Sequence, residues 1–511
     1  MVTSITTKKP FANNSRALFI SPYNGGGMAS INRVKPKGDR ITTHEGAPAT
    51  TGTPYQELKR AVMATMLFEP TYYEKSSDRA QRIIELCKIV EPAKLRDIAI
   101  EGRTEMYVRH APLLVAACLA AFHPKSTLIR STVCDTIQRA DELSEIALLY
   151  NFVIGGSVKL KLSRQMKLGI SDAFHKFDAY QLGKYNRKST AKVTLKDIMC
   201  LTHPKPITGD ERETYRGLKT GTLSPPDTWE VALSSGADKR ETFTRLLIEG
   251  KLGYMALLRN LRNMEQAEVD TSLVVSALTD SIAASISKVL PFRFIPAFLN
   301  VKNVEIRKAL LTVFQSALAN TTSLDGMTYI MVDVSASMSP PHDYYSRGNE
   351  PFEGREAYNG RGVSAKPYDR AIALAEAIRA SCTGGVRLFA FSAQFGEVAI
   401  SPDSNFMSVW ETTAKTVPNG ATYLMPGVDA LNRVMVNAGT YRLTASTTRM
   451  IVLTDEQASD VGQMSPPMAD YGYVINVNGY QPTVANEATG WHSITGWSDK
   501  IVDYIMKFES E

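Results

Sequence analysis

The feature that most narrows the fold is a change in the period of the hydrophobic pattern near residue 322. Beyond Ser323, TYIMVDV (328–334), VRLFAFS (386–392), RMIVLTD (449–455) and YGYVINV (471–477) are short apolar runs rich in β-branched and aromatic residues. Stretches with helical spacing alternate with them at 368–382, 424–438 and 497–508. A strand apolar on both faces must be covered on both, and helices between strands supply the cover. The pattern therefore predicts a parallel, doubly wound α/β domain over 323–511.

Upstream the apolar period is helical. In YMALLRNLRNM, Tyr254, Leu257, Leu258 and Leu261 recur at i, i+3, i+4 and i+7, while Arg259, Asn260 and Arg262 face elsewhere. VEIRKALLTVFQSALAN repeats the pattern with Leu310, Val313, Phe314 and Ala317. Further helices are expected at 55–68, 78–90, 110–122, 127–139, 142–153, 162–182, 194–201, 227–235, 241–249 and 269–289. Many helices with short connections and almost no strand signal predict stacked helical pairs of solenoid type over 51–322, although no fixed repeat period is visible. Residues 1–50, rich in Gly, Asn, Thr, Pro and Lys, read as an irregular basic arm with seven basic and two acidic residues. The fold class expected is thus multidomain, α followed by α/β, as a chain of 511 residues requires.

Charge divides along the same boundary. Residues 323–511 carry 13 Lys/Arg against 21 Asp/Glu, a net of −8, and residues 1–322 hold the other 45 and 31, a net of +14. Such asymmetry points to a polyanion partner for the first part, against the plainer alternative of an unevenly charged solvated surface. The excess peaks at 151–205, with eleven Lys/Arg and three Asp. Within it stand Lys184, Tyr185, Arg187 and Lys188, with His203 following in KVTLKDIMCLTHPKP. Lys and Arg neutralise phosphates, Tyr185 can stack on a base, and His203 can hydrogen-bond a backbone or terminal ribose. The plainer alternatives are a solvated helix face for the cations and a capping or buried role for the histidine.

At the end of the first strand after the boundary stands Asp333-Val-Ser335-Ala-Ser337. In open α/β sheets ligands bind beyond the carboxyl ends of strands, so DxSxS lies where a site belongs. One carboxylate and two hydroxyls suit a hard divalent cation such as Mg²⁺. Thr422, ahead of one helix, and Asp455, at the end of VLTD, offer further oxygens. The plainer alternative is that Ser and Asp after a strand are ordinary helix caps.

The segment 323–508 resembles a von Willebrand factor A domain, on DVSASM, the Thr422 loop and the VLTD strand end. The resemblance implies a metal-ion-dependent adhesion site (MIDAS) with Asp333, Ser335, Ser337 and Thr422 as ligands and Asp455 acting directly or through water. Two departures stand out. The link from DxSxS to the first helix is an insertion over 339–367, and the loop reads Ala421-Thr422-Tyr423, without an acidic neighbour for the Thr. Over about 50–508, TGTPYQELKRAVMATMLFEPTYYE, IAIEGRTEMYVRHAPLLVAACLA, GKYNRKSTAKVTLKDIMCLTHPKP, TWEVALSS and MALLRNLRNM, followed by DVSASM, resemble the TROVE-domain Ro autoantigen family and its bacterial, Rsr-like members. That resemblance implies a ring of HEAT-like helical repeats closed by a Rossmann-like von Willebrand factor A domain. It implies small Y RNA bound on the basic outer surface, and single-stranded 3′ ends of misfolded RNA in the central hole, in RNA quality control. An exoribonuclease partner and a monomeric state are implied as well. Lys184, Arg187 or Lys188, and His203 match the family's RNA-contacting Lys, Arg and His, while Gln56, Lys59 and Arg60 match a family segment without an assigned role.

An enzyme is not expected: GxSxG, Walker A and HExxH motifs are missing, and the seven histidines do not cluster in sequence. Five scattered cysteines without a CxxC pair indicate neither a disulfide framework nor a zinc site. No run of about 18 apolar residues occurs, and MVTSITTKKPFANNS lacks a signal-peptide core, so the expectation is a cytoplasmic protein without a membrane segment. The competing function is a protein-interaction scaffold whose α/β domain binds a partner's carboxylate through the ion.

Overall fold

The computed structural model describes residues 42–43, 45, 47, 52–64, 67, 74–156, 160–186, 193–223, 227–280, 289, 291–319, 323–341, 365–401, 403–437, 447–460, 464–480, 484, 489–498 and 500–510. The helical part runs α1 (Pro54–Met63), α2 (Ser76–Ile89), α3 (Pro92–Thr104), α4 (His110–Phe122), α5 (Ile129–Thr136), α6 (Glu142–Val153), α7 (Arg164–Phe174), α8 (Ala179–Tyr185), α9 (Leu195–Thr202) and α10 (Gly209–Thr220). It continues with α11 (Trp229–Ser234), α12 (Lys239–Ile248), α13 (Tyr254–Gln266), α14 (Thr271–Thr279), α15 (Phe294–Leu299) and α16 (Val304–Ala319). Each helix packs mainly on its near neighbours in sequence, as α3 and α6 do on α4, and α7 and α10 do on α9. This is the stacking expected of a solenoid. Helix α4 is buried from Ala111 to Ala120, because HAPLLVAACLAAF is apolar all round and neighbours cover it on every side.

Three helices of this part lie outside the sequence expectation: α3, α10 and the six-residue α15. In α3, Leu95, Ile98, Ala99 and Gly102 form the buried stripe behind Pro92 at the helix start, but Ala and Gly contribute little to a hydropathy pattern. In α10 only Tyr215 and Leu218 are buried, and a capping box between Thr208 and Glu211 sets its start. The single helix expected at 162–182 is two, because α7 ends at Phe174 and Asp178 caps α8 through a second box with Gln181. The helix expected at 269–289 ends at Thr279, and 281–288 lie outside the described residues.

The α/β domain carries β1 (Met327–Asp333), α17 (Pro367–Ser381), β2 (Val386–Phe391), β3 (Phe395–Glu397), α18 (Phe406–Thr416), α19 (Leu424–Asn437), β4 (Thr448–Thr454), β5 (Tyr471–Asn476), β6 (Trp491–Thr495) and α20 (Lys500–Ser510). Strand order is β3-β2-β1-β4-β5-β6. Neighbours from β2 to β6 pair in parallel, and β3 pairs with β2 antiparallel. The all-parallel expectation is corrected at that edge: the three residues Ser392–Gln394 are too few for a crossover, and only a hairpin closes over so short a link. One face of the sheet, with Ile330, Val332, Ile451, Leu453 and Ile475, belongs to a core continuous with α17, α20 and the helical part. The other, with Tyr329, Met331, Met450, Val452 and Trp491, packs on Leu424, Val428 and Leu431 of α19.

Both ends of the helical part rest on this domain. Arg60 of α1 donates to Ser493 Oγ of β6 at 3.2 Å, and Arg82 of α2 donates to the Gly479 carbonyl at 3.2 Å. At the other end Phe314 of α16 meets Phe406 of α18 with ring centroids 4.1 Å apart, and Phe292 meets Trp497 edge-on at 6.1 Å. The helices thus leave from and return to the same domain. No helix among the described residues is long and apolar enough to cross a membrane.

Candidate metal centre and nucleic-acid interface

The strand order turns between β1 and β4: the chain proceeds outward to β2 and β3 on one side, and to β5 and β6 on the other. Such a switch point opens a crevice beyond the carboxyl ends of the two strands. Asp333 ends β1, and Asp455 directly follows β4. Pairing of Val332 with Leu453 delivers the two carboxylates side by side.

Hydroxyls surround them. Asp333 accepts the Ser335 N–H at 2.8 Å on Oδ1 and the Thr454 hydroxyl at 2.6 Å on Oδ2. The Ser335 and Ser337 hydroxyls are 3.3 Å apart, and Ser337 lies beside Asp455, where it favours the ionised carboxylate. Asp455 Oδ1 accepts the Gln457 N–H at 3.2 Å, whereas Asp455 Oδ2 is buried without a hydrogen-bond partner among the described residues. Thr422 is buried just ahead of α19. Its loop is pinned by the Ala336 N–H on the Gly420 carbonyl at 3.1 Å and the Ser459 N–H on the Thr422 carbonyl at 2.8 Å. Asp333, Ser335, Ser337, Thr422 and Asp455 therefore gather at one end of the sheet.

Electrostatics point the same way. Burial pushes Asp333 up to about 6, against the opposing hydrogen bonds from Ser335 and Thr454. Burial, reinforced by the Asp333 charge, pushes Asp455 up to about 8. Two crowded carboxylates and an orphaned buried oxygen are what a bound cation relieves, and a donor set made only of oxygen suits a hard one. No group of three or more His, Cys, Asp or Glu stands ready for a metal among the described residues, so hydroxyls must make up the set. The 342–364 part of the insertion lies outside the described residues.

In the basic stretch, Lys184 and Tyr185 end α8, half-buried. Tyr185 is already engaged: its hydroxyl accepts from Arg139 Nη2 at 2.7 Å, and the Arg139 guanidinium and Lys184 ammonium lie 5.2 and 5.8 Å from its ring centroid. Arg139 is in turn held by Asp141 at 3.1 Å. His203 is the exposed C-cap of α9, in the left-handed conformation (φ 51°), its N–H donated to the Met199 carbonyl at 2.9 Å. Its backbone thus caps, as the plainer alternative held, while its ring faces solvent. Arg187 and Lys188 lie outside the described residues.

Several residues that shape these sites carried no assignment in the sequence. Thr454 orients Asp333, and it stands next to Asp455 in VLTD, where a hydroxyl beside the strand-end acid was a usable signal. Arg139 is 46 positions from Tyr185, and no local pattern links them. The unassigned trio resolves into structure: Gln56 closes the capping box of α1, Lys59 pairs with Glu101 at 2.8 Å, and Arg60 reaches Ser493 and Glu456.

A family model for the TROVE domain matches residues 45–221 and 213–339. Telomerase protein component 1 of Mus musculus is 23% identical over 349 residues, covering 50% of this chain and 13% of that protein. Its Rattus norvegicus counterpart is 22% identical over 385 residues, covering 58% and 14%. The chain therefore spans only a small part of the length of these curated relatives. The crystal structure of the Ro (Rsr) protein of Deinococcus radiodurans superposes with a TM-score of 0.55 at 15% identity, covering 88% of this chain and 99% of that one. At that identity the likeness is one of fold: helical repeats joined to a von Willebrand factor A-like domain.

Proposed function

The chain belongs to the TROVE-domain family, and from that premise we propose that it binds small structured non-coding RNA, of Y RNA type, on the basic face of its helical part. The observation that carries this reading is the net charge of +14 over 1–322, the part of the chain where most of the family match falls. Lys184, Arg187, Lys188 and the Arg139–Tyr185 pair would meet phosphate and base, and the exposed ring of His203 would meet ribose or backbone. Single-stranded 3′ ends of misfolded RNA would enter the circuit that the helices close on the α/β domain, in a non-enzymatic role in RNA quality control beside an exoribonuclease. Sequencing the RNA that co-purifies with the protein tests the reading. Enrichment of a small structured RNA is expected, and replacing Lys184, Arg187 and Lys188 together with Ala should lower its yield without changing the fold. Equal yields from the two proteins would count against this surface.

The α/β domain, on this reading, holds a divalent cation, Mg²⁺, between Asp333, Ser335, Ser337, Thr422 and Asp455. Both carboxyls sit above the ordinary aspartate range of 3.8, so their contribution to the ion-free fold is full below that value. It is lost as pH rises through about 6 to 8, where they are forced to ionise. A cation binds the ionised pair. The rise in melting temperature on adding Mg²⁺ is therefore expected to be larger at pH 8 than at pH 6, and an equal or smaller rise at pH 8 would refute the assignment. A second reading, favoured by the unpartnered Asp455 Oδ2, is a scaffold that captures a partner's carboxylate on the ion. A protein free of RNA at low salt would support it.

A further inference from the structure

The loop 455–460 joins the two halves of the ion site. It starts at Asp455, its Ser459 N–H donates to the Thr422 carbonyl at 2.8 Å, and its Asp460 carboxylate accepts the Leu424 and Met425 N–H groups at 3.1 and 2.6 Å. The middle of this loop is held from the far end of the chain. The Thr43 hydroxyl donates to the Ala458 carbonyl, and the Ala47 N–H donates to the same oxygen at 3.3 Å. The Thr43 N–H donates to the Ala47 carbonyl at 2.9 Å, so the segment closes on itself. Thr43 is 3% exposed, and Ala47 and Ala458 are fully buried in the core behind α19. Thus the arm expected to be irregular has, at its described residues, a buried foothold on the ion loop.

A second hold comes from α1. Glu456, directly after Asp455, is buried with φ 60°, a conformation a side chain of this kind adopts only when its surroundings impose it. Its carboxylate accepts from Asn476 Nδ2 at 2.8 Å, and Arg60 Nη1 stands 3.9 Å away. Arg60 is itself fastened to Ser493.

We propose that the N-terminal side of the chain completes the ion site: Thr43 and Arg60 are positioning residues that hold the 455–460 loop, and through it Asp455 and Thr422, in ligand geometry. The inference rests on the reading of that site as a divalent-cation site. Partners behind metal ligands are commonly worth about 10–100-fold in metal affinity, and here those partners lie outside the α/β domain altogether.

The test uses the full chain and Mn²⁺ as probe, with free Mn²⁺ followed by its electron paramagnetic resonance signal and the Ser459 amide followed by hydrogen exchange. Thr43→Val keeps the shape and removes the hydroxyl, whereas Thr43→Ser keeps the hydroxyl. Thr43→Val is expected to weaken Mn²⁺ binding by about 10–100-fold and to speed Ser459 exchange, while Thr43→Ser behaves as the unaltered protein. Arg60→Met addresses the same loop from α1 should Thr43→Val fail to fold. Unaltered Mn²⁺ affinity in Thr43→Val or Arg60→Met overturns the positioning role. Absence of Mn²⁺ binding in the unaltered protein overturns the ion site itself, and the Ser459 exchange rate then still decides whether Thr43 holds the loop.

Discussion

Raising the salt concentration from 50 to 200 mM is expected to weaken RNA binding by about three orders of magnitude, for a surface making roughly six phosphate contacts. The reason is counterion release: each phosphate neutralised by a Lys or Arg frees a condensed cation, and added salt opposes that release. Eleven Lys/Arg lie within 151–205, so the stretch can supply six contacts even after some are taken by neighbours. Lys176 is one of those taken, donating to the Cys134 carbonyl at 2.6 Å and the Ile137 carbonyl at 3.0 Å. Arg130, outside the stretch, engages one of its acids, pairing with Asp172 at 2.6 Å. Filter binding across a salt series checks the slope. Replacing Lys184, Arg187 and Lys188 should flatten it by about one per lost contact, and a flat line for the unaltered protein would mean that recognition is not through phosphate.

Glu509→Ala is expected to destabilise the α/β domain by about 3–5 kcal/mol, on the order of 10 °C in melting temperature. Arg449 of β4 is 1% exposed, and Glu509 of α20 holds it at 2.8 and 2.5 Å. Arg449 Nη1 also donates to Thr328 Oγ1 at 3.0 Å, and the Tyr473 hydroxyl donates to Glu509 at 3.1 Å. Removing the carboxylate strands a buried guanidinium, which costs more than the pair contributes. The double variant Arg449→Met with Glu509→Leu should recover most of the loss, because a well-packed apolar pair carries no desolvation penalty. Thermal unfolding of the two proteins measures the difference, and a loss under about 1 kcal/mol for Glu509→Ala would place this pair with ordinary surface bridges. The network sits at the amino ends of the strands, opposite Asp333 and Asp455, so the variant loosens the domain without touching the candidate ion site.

How much of this was legible in the sequence depended on where the energy lies. The central strands were, because Ile330, Val332, Ile451 and Leu453 are buried in runs that no exposed strand would tolerate. The outer ones were not: β3 is three residues long, and β6 reads Trp-His-Ser-Ile-Thr, a mixed pattern that a loop would also show. Helix α18 was missed because its buried Phe406, Val409, Trp410, Thr413 and Ala414 are interleaved with Thr and Ser. At the site, DxSxS and the VLTD acid could be read from local chemistry at strand ends. Thr43 could not, since its partner Ala458 is 415 residues away and interacts through a backbone oxygen that any residue type carries.

The way the helices end on the sheet has a further consequence, for solitude. An exposed edge strand is a template for pairing with another chain. Here one edge is the three-residue β3, which ends in Glu397 bound to Arg387 at 2.7 Å, and the other, β6, lies against α1 with Arg60 fastened to Ser493. The helical part of the chain is thereby also a guard over the sheet. It shields the border at which an α/β domain severed from its helices would recruit a second copy of itself.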